Sequence, residues 1–224
     1  MSDIRVSGFN DIIFWQEDGV GIIVIRSNES GLARRNFVNE LIMALTTAST
    51  DDMVKSVAIT GINNNFLSGL IDAPKNSHEL FDFLSYTSTF LSVVYSLGKP
   101  IYSVLSGDSI DLGREISLAT DIIISSDSAK VGFSKNYRFM AGGSITSLRF
   151  PLLDVSVAKE GKNVDLVYSG KTLLESAKNF IISDSGRSRH LMRRARLRDM
   201  RVTLLEERED ILFRENQAEN HTSA

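Results

Sequence analysis

The chain has 224 residues, of which 42% are hydrophobic and 24% are charged, and it carries a formal net charge of -3. This composition is typical of a soluble globular domain with a full core, and the small net charge excludes a general electrostatic attraction to nucleic acid or membranes. The absence of cysteine excludes disulfides, thiolate metal sites and cysteine nucleophiles, and it is consistent with a cytoplasmic protein. No apolar stretch reaches the ~18–20 residues of a transmembrane helix, so no membrane span is predicted.

Strand and helix patterns alternate through the first part of the chain. Runs of β-branched and other apolar residues predict strands at Ile12–Trp15, Val20–Ile25, Ser56–Thr60, Ile101–Leu105 and Ile122–Ser125. Apolar residues at helical spacing predict helices at Asn36–Thr47, Ser77–Leu97 and Leu112–Ala119, the second of them with Ser77 as its N-cap. Strands that alternate with helices are joined by right-handed crossovers, so this order predicts a layered α/β domain.

The last third of the chain has a more helical and more charged pattern. Asn163–Tyr168 and Thr172–Lys178 are predicted to be short helices. Arg187–Asn216 is predicted to form one or two helices that pack on the domain or on a neighbouring subunit, and the polar tail Gln217–Ala224 is expected to be frayed. We therefore divide the chain into an α/β core at residues 1–182 and a C-terminal helical region at residues 183–224.

Several short motifs follow one another in the order found in one protein family. Gly61–Leu70 (GINNNFLSGL) resembles the pattern TG-x-x-x-x-F-S-A-G-A-D, and Gly107–Asp121 (GDSIDLGREISLATD) resembles G-Y-A-x-G-G-G-x-E-L-A-L-A-C-D without a gap. Shorter matches are Ser96–Pro100, Ala129–Phe133, Arg149–Pro151 and Tyr168–Ala177. By these motifs the chain resembles the enoyl-CoA hydratase/isomerase (crotonase) family. The resemblance implies an α/β fold, a crotonase-like spiral of ββα and βαβ units followed by a C-terminal helical region.

The resemblance also implies chemistry on a CoA thioester, whose oxygen gains negative charge as an enolate forms. Two main-chain N–H groups stabilise that charge in the family, and by motif position they belong here to Leu70 and Leu112. Ser68, Gly69 and Gly113 are expected to line the same substrate site. The alternative is that the two glycines only shape tight turns.

Glu115 is aligned with the first catalytic glutamate of the family, which implies a role as acid or base. The residue alone also fits a glutamate on the helix surface, or one paired with Arg114 or Lys99. Asp111 and Leu112 stand where the family has two glycines. The larger side chains restrict the backbone and narrow the path by which a thioester reaches the site. The Asp111 carboxylate must also point away from a developing oxyanion.

Lys135 stands where hydratases of the family have their second glutamate. A lysine is a cation at neutral pH and is a poor replacement for a carboxylate base. Lys135 can pair with Glu115, hold a carboxylate of the substrate or be exposed, and exposure is the favoured alternative. Tyr137 and Asp127 are weaker candidates to replace the missing group. The exchange weakens a two-glutamate hydration mechanism.

Further residues are expected at the acyl and CoA ends of the ligand. Gly142 and Gly143 match a turn that lines the acyl pocket in the family, and a plain turn before a helix is the equal alternative. Arg26 and Arg34 flank a segment that resembles the CoA-binding loop, where they would contact phosphates or simply be solvated charges. The arginine-rich segment Arg187–Arg201 lacks interleaved aromatic residues, so it is predicted to be a charged helical face rather than a nucleic-acid site.

Two functions are compatible with these residues. The first is a crotonase-type lyase or isomerase that uses Glu115, and the second is a catalytically degenerate module that binds acyl-CoA or a protein partner without turnover. An acyl-CoA ligand is expected, with no cofactor other than the CoA of the substrate and no nucleic-acid or membrane partner. The 3 isolated histidines predict no metal site. The resemblance also implies a homotrimer or hexamer.

Overall fold

The computed structural model of the chain describes residues 8–135, 137, 140–141, 155–156, 164–184, 204–206 and 208–213. The strands are β1 (Ile12–Glu17), β2 (Val20–Ile25), β3 (Leu32–Ala33), β4 (Ser56–Gly61), β5 (Asn65–Leu67), β6 (Gly69–Leu70), β7 (Ile101–Leu105), β8 (Asp108–Ile110), β9 (Ile122–Ser126), β10 (Lys130–Gly132), β11 (Val155–Ser156) and β12 (Leu166–Tyr168). The main helices of the described residues are α1 (Phe37–Thr50), α2 (Ser77–Ser96), α3 (Leu112–Leu118) and α4 (Leu173–Ser183). The strands and helices predicted before residue 126 are confirmed, with small changes at their ends.

A six-stranded sheet in the order β1-β2-β4-β7-β9-β12 forms the centre of the domain. Strands β1 and β2 form an antiparallel hairpin, and every later neighbour in this sheet pairs in parallel. The hairpin turn uses Asp18 and Gly19, whose φ angles of 50° and 82° are those of the turns that match strand twist. Helices α1, α2 and α3 make the crossovers between successive parallel strands, as the alternating sequence pattern predicts.

Two hydrophobic clusters cover the two faces of the six-stranded sheet. Alternate residues of the strands face α1, α2 and α3, and they include Ile23, Ile59 and Ile101. The other face packs against α4 and includes Tyr102 and Ile124. Because side chains alternate along a strand, a strand in a sheet covered on both faces has all of its residues buried, as β7 and β9 do. The layered α/β architecture predicted from the sequence is therefore confirmed.

A smaller four-stranded sheet in the order β11-β10-β8-β5 lies next to the beginning of α3. Strands β3 and β6 form a separate parallel pair. Strands β5 and β6 follow the carboxyl end of β4, and β8 follows that of β7. The two predicted amide donors, Leu70 and Leu112, lie in β6 and at the first turn of α3. Ligands of parallel α/β sheets commonly bind beyond the carboxyl ends of the strands.

The prediction of a helix at Asn163–Tyr168 is wrong over its described part. Leu166–Tyr168 is strand β12, which pairs in parallel with β9 at the edge of the large sheet. The Asp165 carboxylate accepts a hydrogen bond of 2.7 Å from the main-chain N–H of Ile123 and fixes the start of this pairing. The sheet edge decides the conformation because a short apolar run fits a strand as well as a helix. The helix predicted at Thr172–Lys178 is confirmed and continues to Ser183.

The C-terminal helical region is described only at residues 204–206 and 208–213, which are helical. Leu204 is buried in the main core, and the Arg208 guanidinium lies 4.5 Å from the centre of the Phe81 ring on α2. This part of the region packs on the domain. The remainder of Arg187–Asn216 and the tail Gln217–Ala224 lie outside the described residues. No helix in the described part of the chain is long and apolar enough to cross a membrane.

The N-cap of helix α2 lies one residue before the predicted one. Asn76, not Ser77, has the extended N-cap conformation, and its side-chain oxygen accepts a hydrogen bond of 2.9 Å from the main-chain N–H of Glu79. An asparagine is as good an N-cap as a serine, so residue type alone does not decide between neighbours. Glu79 completes the cap, since one of its carboxylate oxygens accepts from the Asn76 amide group at 3.4 Å.

We expect Asn76→Ala to lower the free energy of unfolding by about 1 kcal/mol, because it leaves an amide of the first helical turn without its acceptor. Urea denaturation measures this change. Asn39→Ala is the matched control, since the described hydrogen bond of the Asn39 side chain is a local one, donated to the Asn36 side chain at 3.4 Å. Equal losses in the two variants would contradict the assignment of Asn76 as the cap.

Candidate active site

Asp111 places the first residue of α3 through an unusual backbone conformation. Its φ is +52° and its ψ is -116°, a region that glycine tolerates and other residues rarely occupy. The Asp111 carboxylate accepts hydrogen bonds from the main-chain N–H and the hydroxyl of Ser134, at 2.6 Å and 2.8 Å. Its own N–H donates to the Gly132 carbonyl at 3.0 Å. These contacts hold a conformation that costs about 1–3 kcal/mol for a non-glycine residue, so the chain retains a glycine-like backbone at an aspartate.

The main-chain N–H of Leu112 is the first of helix α3. The first intrahelical bond of α3 runs from the N–H of Glu115 to the carbonyl of Asp111, at 3.0 Å. The first N–H groups of a helix have no carbonyl acceptor within that helix, so the Leu112 amide is directed beyond the helix end. The Leu112 side chain is buried in the main core and anchors this end of the helix.

Gly113 brings α3 into direct contact with β5. A Cβ atom at this position would lie 2.0 Å from the carbonyl oxygen of Leu67, far inside van der Waals contact. Only glycine therefore fits, and the first turn of α3 lies against the strand that leads into Gly69 and Leu70. The predicted Gly61–Leu70 and Gly107–Asp121 motifs thus meet in space.

Leu70 lies in β6, which pairs with β3. The N–H of Ile71 donates to the carbonyl of Ala33 at 2.8 Å, on the side of β6 that faces β3. Successive main-chain N–H groups of a strand point to opposite sides, so the amide of Leu70 points away from β3. The Leu70 side chain packs against the edge of the main core.

Glu115 is fully buried, with 0% of its surface exposed. Its carboxylate accepts a hydrogen bond of 2.5 Å from the Tyr137 hydroxyl and one of 2.9 Å from the main-chain N–H of Met140. The N–H of Ala141 lies 3.0 Å and 3.1 Å from the two carboxylate oxygens. The alternative that Glu115 is a surface residue is wrong. Lys99, one of the two partners suggested for Glu115, donates to the carbonyls of Ala48 and Asp51 at the end of α1.

Tyr137 is a neutral donor to this carboxylate. Burial raises the pKa of the Tyr137 hydroxyl well above its ordinary value, and the charge of Glu115 and their hydrogen bond raise it further. The phenol therefore keeps its proton at neutral pH, and Glu115 is the acceptor. The Phe133 ring stacks on Tyr137 with 5.8 Å between ring centres. Together these contacts hold the hydroxyl against the carboxylate.

Lys135 and Asp127, the two other residues considered in place of the missing second glutamate, have no described hydrogen bond to Glu115. Lys135 is exposed. Asp127 accepts a hydrogen bond of 3.1 Å from the N–H of Gly170, beyond the end of β9. The sequence makes Tyr137 and Asp127 equally weak candidates, because no motif residue places either of them beside Glu115. The structure brings Tyr137 there through the turn that follows β10.

The segment that resembles a CoA-binding loop lies against the strand-end loop. The main-chain N–H of Ser68 donates to the Gly31 carbonyl at 2.8 Å, and the Asn65 amide group donates to the Glu29 carbonyl at 3.1 Å. Ser68 is half-buried at this contact. The two segments therefore form one surface, next to the pair of β3 and β6.

The arginines near this surface have different environments. Arg26 and Arg34 are both exposed, and Arg26 donates to the Asn10 carbonyl at 3.4 Å. Arg35 instead forms ion pairs with Asp72 and Glu79, at 3.5 Å and 3.0 Å.

Two predicted substrate residues, Gly142 and Gly143, lie outside the described residues. The part of the chain that the structure describes contains no group of three or more His, Asp or Glu side chains that could hold a metal ion.

The sequence of the chain matches a known protein family. Residues 17–148 match the family model described as enoyl-CoA hydratase/isomerase. The methylglutaconyl-CoA hydratase of mouse mitochondria is 25% identical over 166 residues, which cover 70% of this chain and 51% of the relative. Enoyl-CoA hydratase ACTT3 of Alternaria alternata is 23% identical over 145 residues, 61% of this chain and 47% of the relative. The chain therefore spans about half the length of these curated relatives.

Solved structures match over nearly the whole chain. An enoyl-CoA hydratase from Mycobacterium avium subsp. paratuberculosis superposes with a TM-score of 0.76 at 18% identity, covering 93% of this chain and 95% of that one. A second, from Geobacillus kaustophilus, gives a TM-score of 0.74 at 16% identity, with 100% and 96% coverage. At these identities the likeness establishes the fold alone, and it confirms the crotonase-like α/β fold predicted from the motifs.

Proposed function

Because the chain belongs to the enoyl-CoA hydratase/isomerase (crotonase) family, we propose that it binds an acyl-CoA thioester and stabilises the enolate of that thioester. The donors are the main-chain amides of Leu70 and Leu112. One observation carries this proposal: Asp111 keeps a glycine-like backbone at a cost in strain, immediately before the amide of Leu112. Strained backbone conformations of this kind cluster at functional sites. The strain at Asp111 therefore supports a functional role for the direction in which the Leu112 N–H points.

Glu115 is the acid/base in this proposal. As a carboxylate it takes a proton from the carbon next to the thioester, and the electron pair of the broken C–H bond moves onto the thioester oxygen. The two amides stabilise the negative charge that develops there. Return of the proton to another carbon completes an isomerisation with one carboxylate, whereas addition of water needs a second group to hold and deprotonate it.

Ser68, Gly69 and Gly113 would form the walls next to the thioester, and Gly142 and Gly143 would contact the acyl chain. Arg26 and Arg34 are exposed beside the loop against which CoA would lie, and they are the proposed contacts for its phosphates. Lys135, also exposed, is proposed to contact the polar part of the substrate. No cofactor other than the CoA of the substrate is required. We further propose assembly as a homotrimer or hexamer in the cytoplasm.

A second function is favoured by the hydrogen bonds of Glu115. Its carboxylate already accepts from Tyr137, Met140 and Ala141, as a structural carboxylate would. In that case the chain is a catalytically degenerate protein that binds acyl-CoA, or a protein partner, without turnover. Assays of crotonyl-CoA hydration and 3-enoyl-CoA isomerisation, with calorimetry of CoA ester binding, separate the two functions. Binding without turnover in either assay would favour the second.

The direct test of the proposal removes a single N–H group. Replacement of Leu112 by its hydroxy-acid analogue turns the amide into an ester and keeps the buried side chain. We expect kcat to fall by about 10²- to 10³-fold, the typical loss for one oxyanion donor, with a smaller change in KM.

The matched control is the same replacement at Leu173. This residue is also a buried leucine at the first position of a helix, α4, on the opposite face of the large sheet. We expect its ester to leave kcat unchanged. Equal kcat values for the wild-type protein and the Leu112 ester would contradict the role of that amide.

A further inference from the structure

The carboxylate of Glu115 has one side-chain donor among its described hydrogen bonds, and that donor is the Tyr137 hydroxyl. The remaining donors are the main-chain N–H groups of Met140 and Ala141, which belong to the path of the chain itself. The hydroxyl can therefore be removed without altering the backbone contacts. Its distance of 2.5 Å from the carboxylate oxygen is that of a charge-assisted O–H···O hydrogen bond.

We propose that Tyr137 is a positioning residue for Glu115, whose hydroxyl keeps the carboxylate ionised and fixes its orientation. This inference rests on the proposed function of Glu115 as acid/base. It gives the site one carboxylate and one phenol, a combination that the sequence motifs do not specify.

The charges around the pair support this role. A hydrogen bond donated to a carboxylate favours its ionised form over its neutral form. The phenol does not compete for the negative charge, because burial and Glu115 both raise the pKa of Tyr137. The charge of Asp111, which is itself bound to Ser134, also raises the pKa of Tyr137.

The proton count of the reaction is unaffected by this contact. Glu115 takes the substrate proton as the C–H bond breaks, and Tyr137 keeps its own proton throughout. Once Glu115 is neutral, the hydrogen bond from Tyr137 is weaker, since the acceptor has lost its charge. The acquired proton is therefore more easily returned to the enolate carbon, and the carboxylate is restored.

Tyr137→Phe tests the role directly, because it removes one oxygen and keeps the ring that stacks on Phe133. Without the hydroxyl, the carboxylate of Glu115 is protonated more easily. We expect the acidic limb of the kcat profile to move to higher pH by about 1–2 units, as the loss of one charge-assisted hydrogen bond predicts. KM for the enoyl thioester should change little. The matched control is Tyr86→Phe on α2, where the tyrosine is 46% exposed.

A second measurement does not depend on turnover. Infrared spectra of protein labelled with ¹³C-glutamate, taken as differences from labelled Glu115→Gln, follow the carboxylate band of this one residue against pH. We expect the band to appear at higher pH in Tyr137→Phe than in the wild-type protein or in Tyr86→Phe. Unchanged positions of both the band and the acidic limb would overturn the inference. If the carboxylate band is displaced in a protein that shows no turnover, the contact between Tyr137 and Glu115 is supported. Catalysis by Glu115 is then contradicted.

Discussion

Glu115→Gln is expected to lower kcat for proton transfer on an enoyl thioester by about 10²- to 10⁴-fold, the usual contribution of a general acid or base. Glutamine has nearly the same shape and still accepts a hydrogen bond, but it does not take up the substrate proton. Binding of the CoA ester should change by only a few-fold, because the amides of Leu70 and Leu112 are untouched. Steady-state kinetics and calorimetry measure the two effects separately.

The glutamine also has a structural cost that must be separated from its chemical effect. The N–H of Ala141 approaches both oxygens of Glu115, so the amide nitrogen of a glutamine would face another donor. We expect a loss of about 1–3 kcal/mol in the free energy of unfolding from this contact.

Glu40→Gln supplies the control for that cost. Glu40 is a buried carboxylate in α1 that accepts hydrogen bonds from the main-chain N–H groups of Asn10, Asp11 and Ile12, at 3.0 Å, 2.7 Å and 3.0 Å. Its replacement should reduce stability similarly and leave kcat unchanged. If both glutamine variants lose activity in proportion to their stability, Glu115 acts through structure alone. Full activity of Glu115→Gln would remove it from the chemistry altogether.

Gly113→Ala is expected to lower the free energy of unfolding by about 2–4 kcal/mol, net of the higher helix propensity of alanine, which contributes at most about 1 kcal/mol in the first turn of α3. The new Cβ would lie 2.0 Å from the carbonyl oxygen and 2.7 Å from the carbonyl carbon of Leu67. Both are main-chain atoms of the buried strand β5, which is paired with β8, so α3 must move instead. Thermal unfolding should register a decrease in Tm of roughly 5–15 °C, at about 2–4 °C per kcal/mol.

The displacement of α3 also moves the Leu112 amide and Glu115. We therefore expect Gly113→Ala to lose turnover even at temperatures where the variant remains folded. Gly170→Ala is the control, since a Cβ there would meet the Ser126 hydroxyl at 3.1 Å, and that side chain can rotate. A wild-type Tm for Gly113→Ala would show that α3 does not pack on β5 as described.

The strands and helices of the first half could be predicted because their signals are local. Apolar runs predict the buried strands β4 and β7, and apolar residues at helical spacing predict α2. Gly113 and Glu115 were identified from the register of the motif alone. The misassigned segment at Leu166–Tyr168 is a short apolar run in which both conformations are compatible with the residues. The edge of β9, from a segment distant in the chain, made it a strand.

The sequence by itself thus determined the order of the longer strands and helices before residue 126, the family and the positions of the candidate acid/base and amide donors. Only the tertiary structure decided the partners of those residues: Tyr137 for Glu115, Ser134 for Asp111 and Leu67 for Gly113. The physical reason is that periodicity and residue type record the preferences of a segment for burial and backbone conformation. A hydrogen bond or a close contact between segments depends on how the whole sheet and its helices pack, which no local pattern contains.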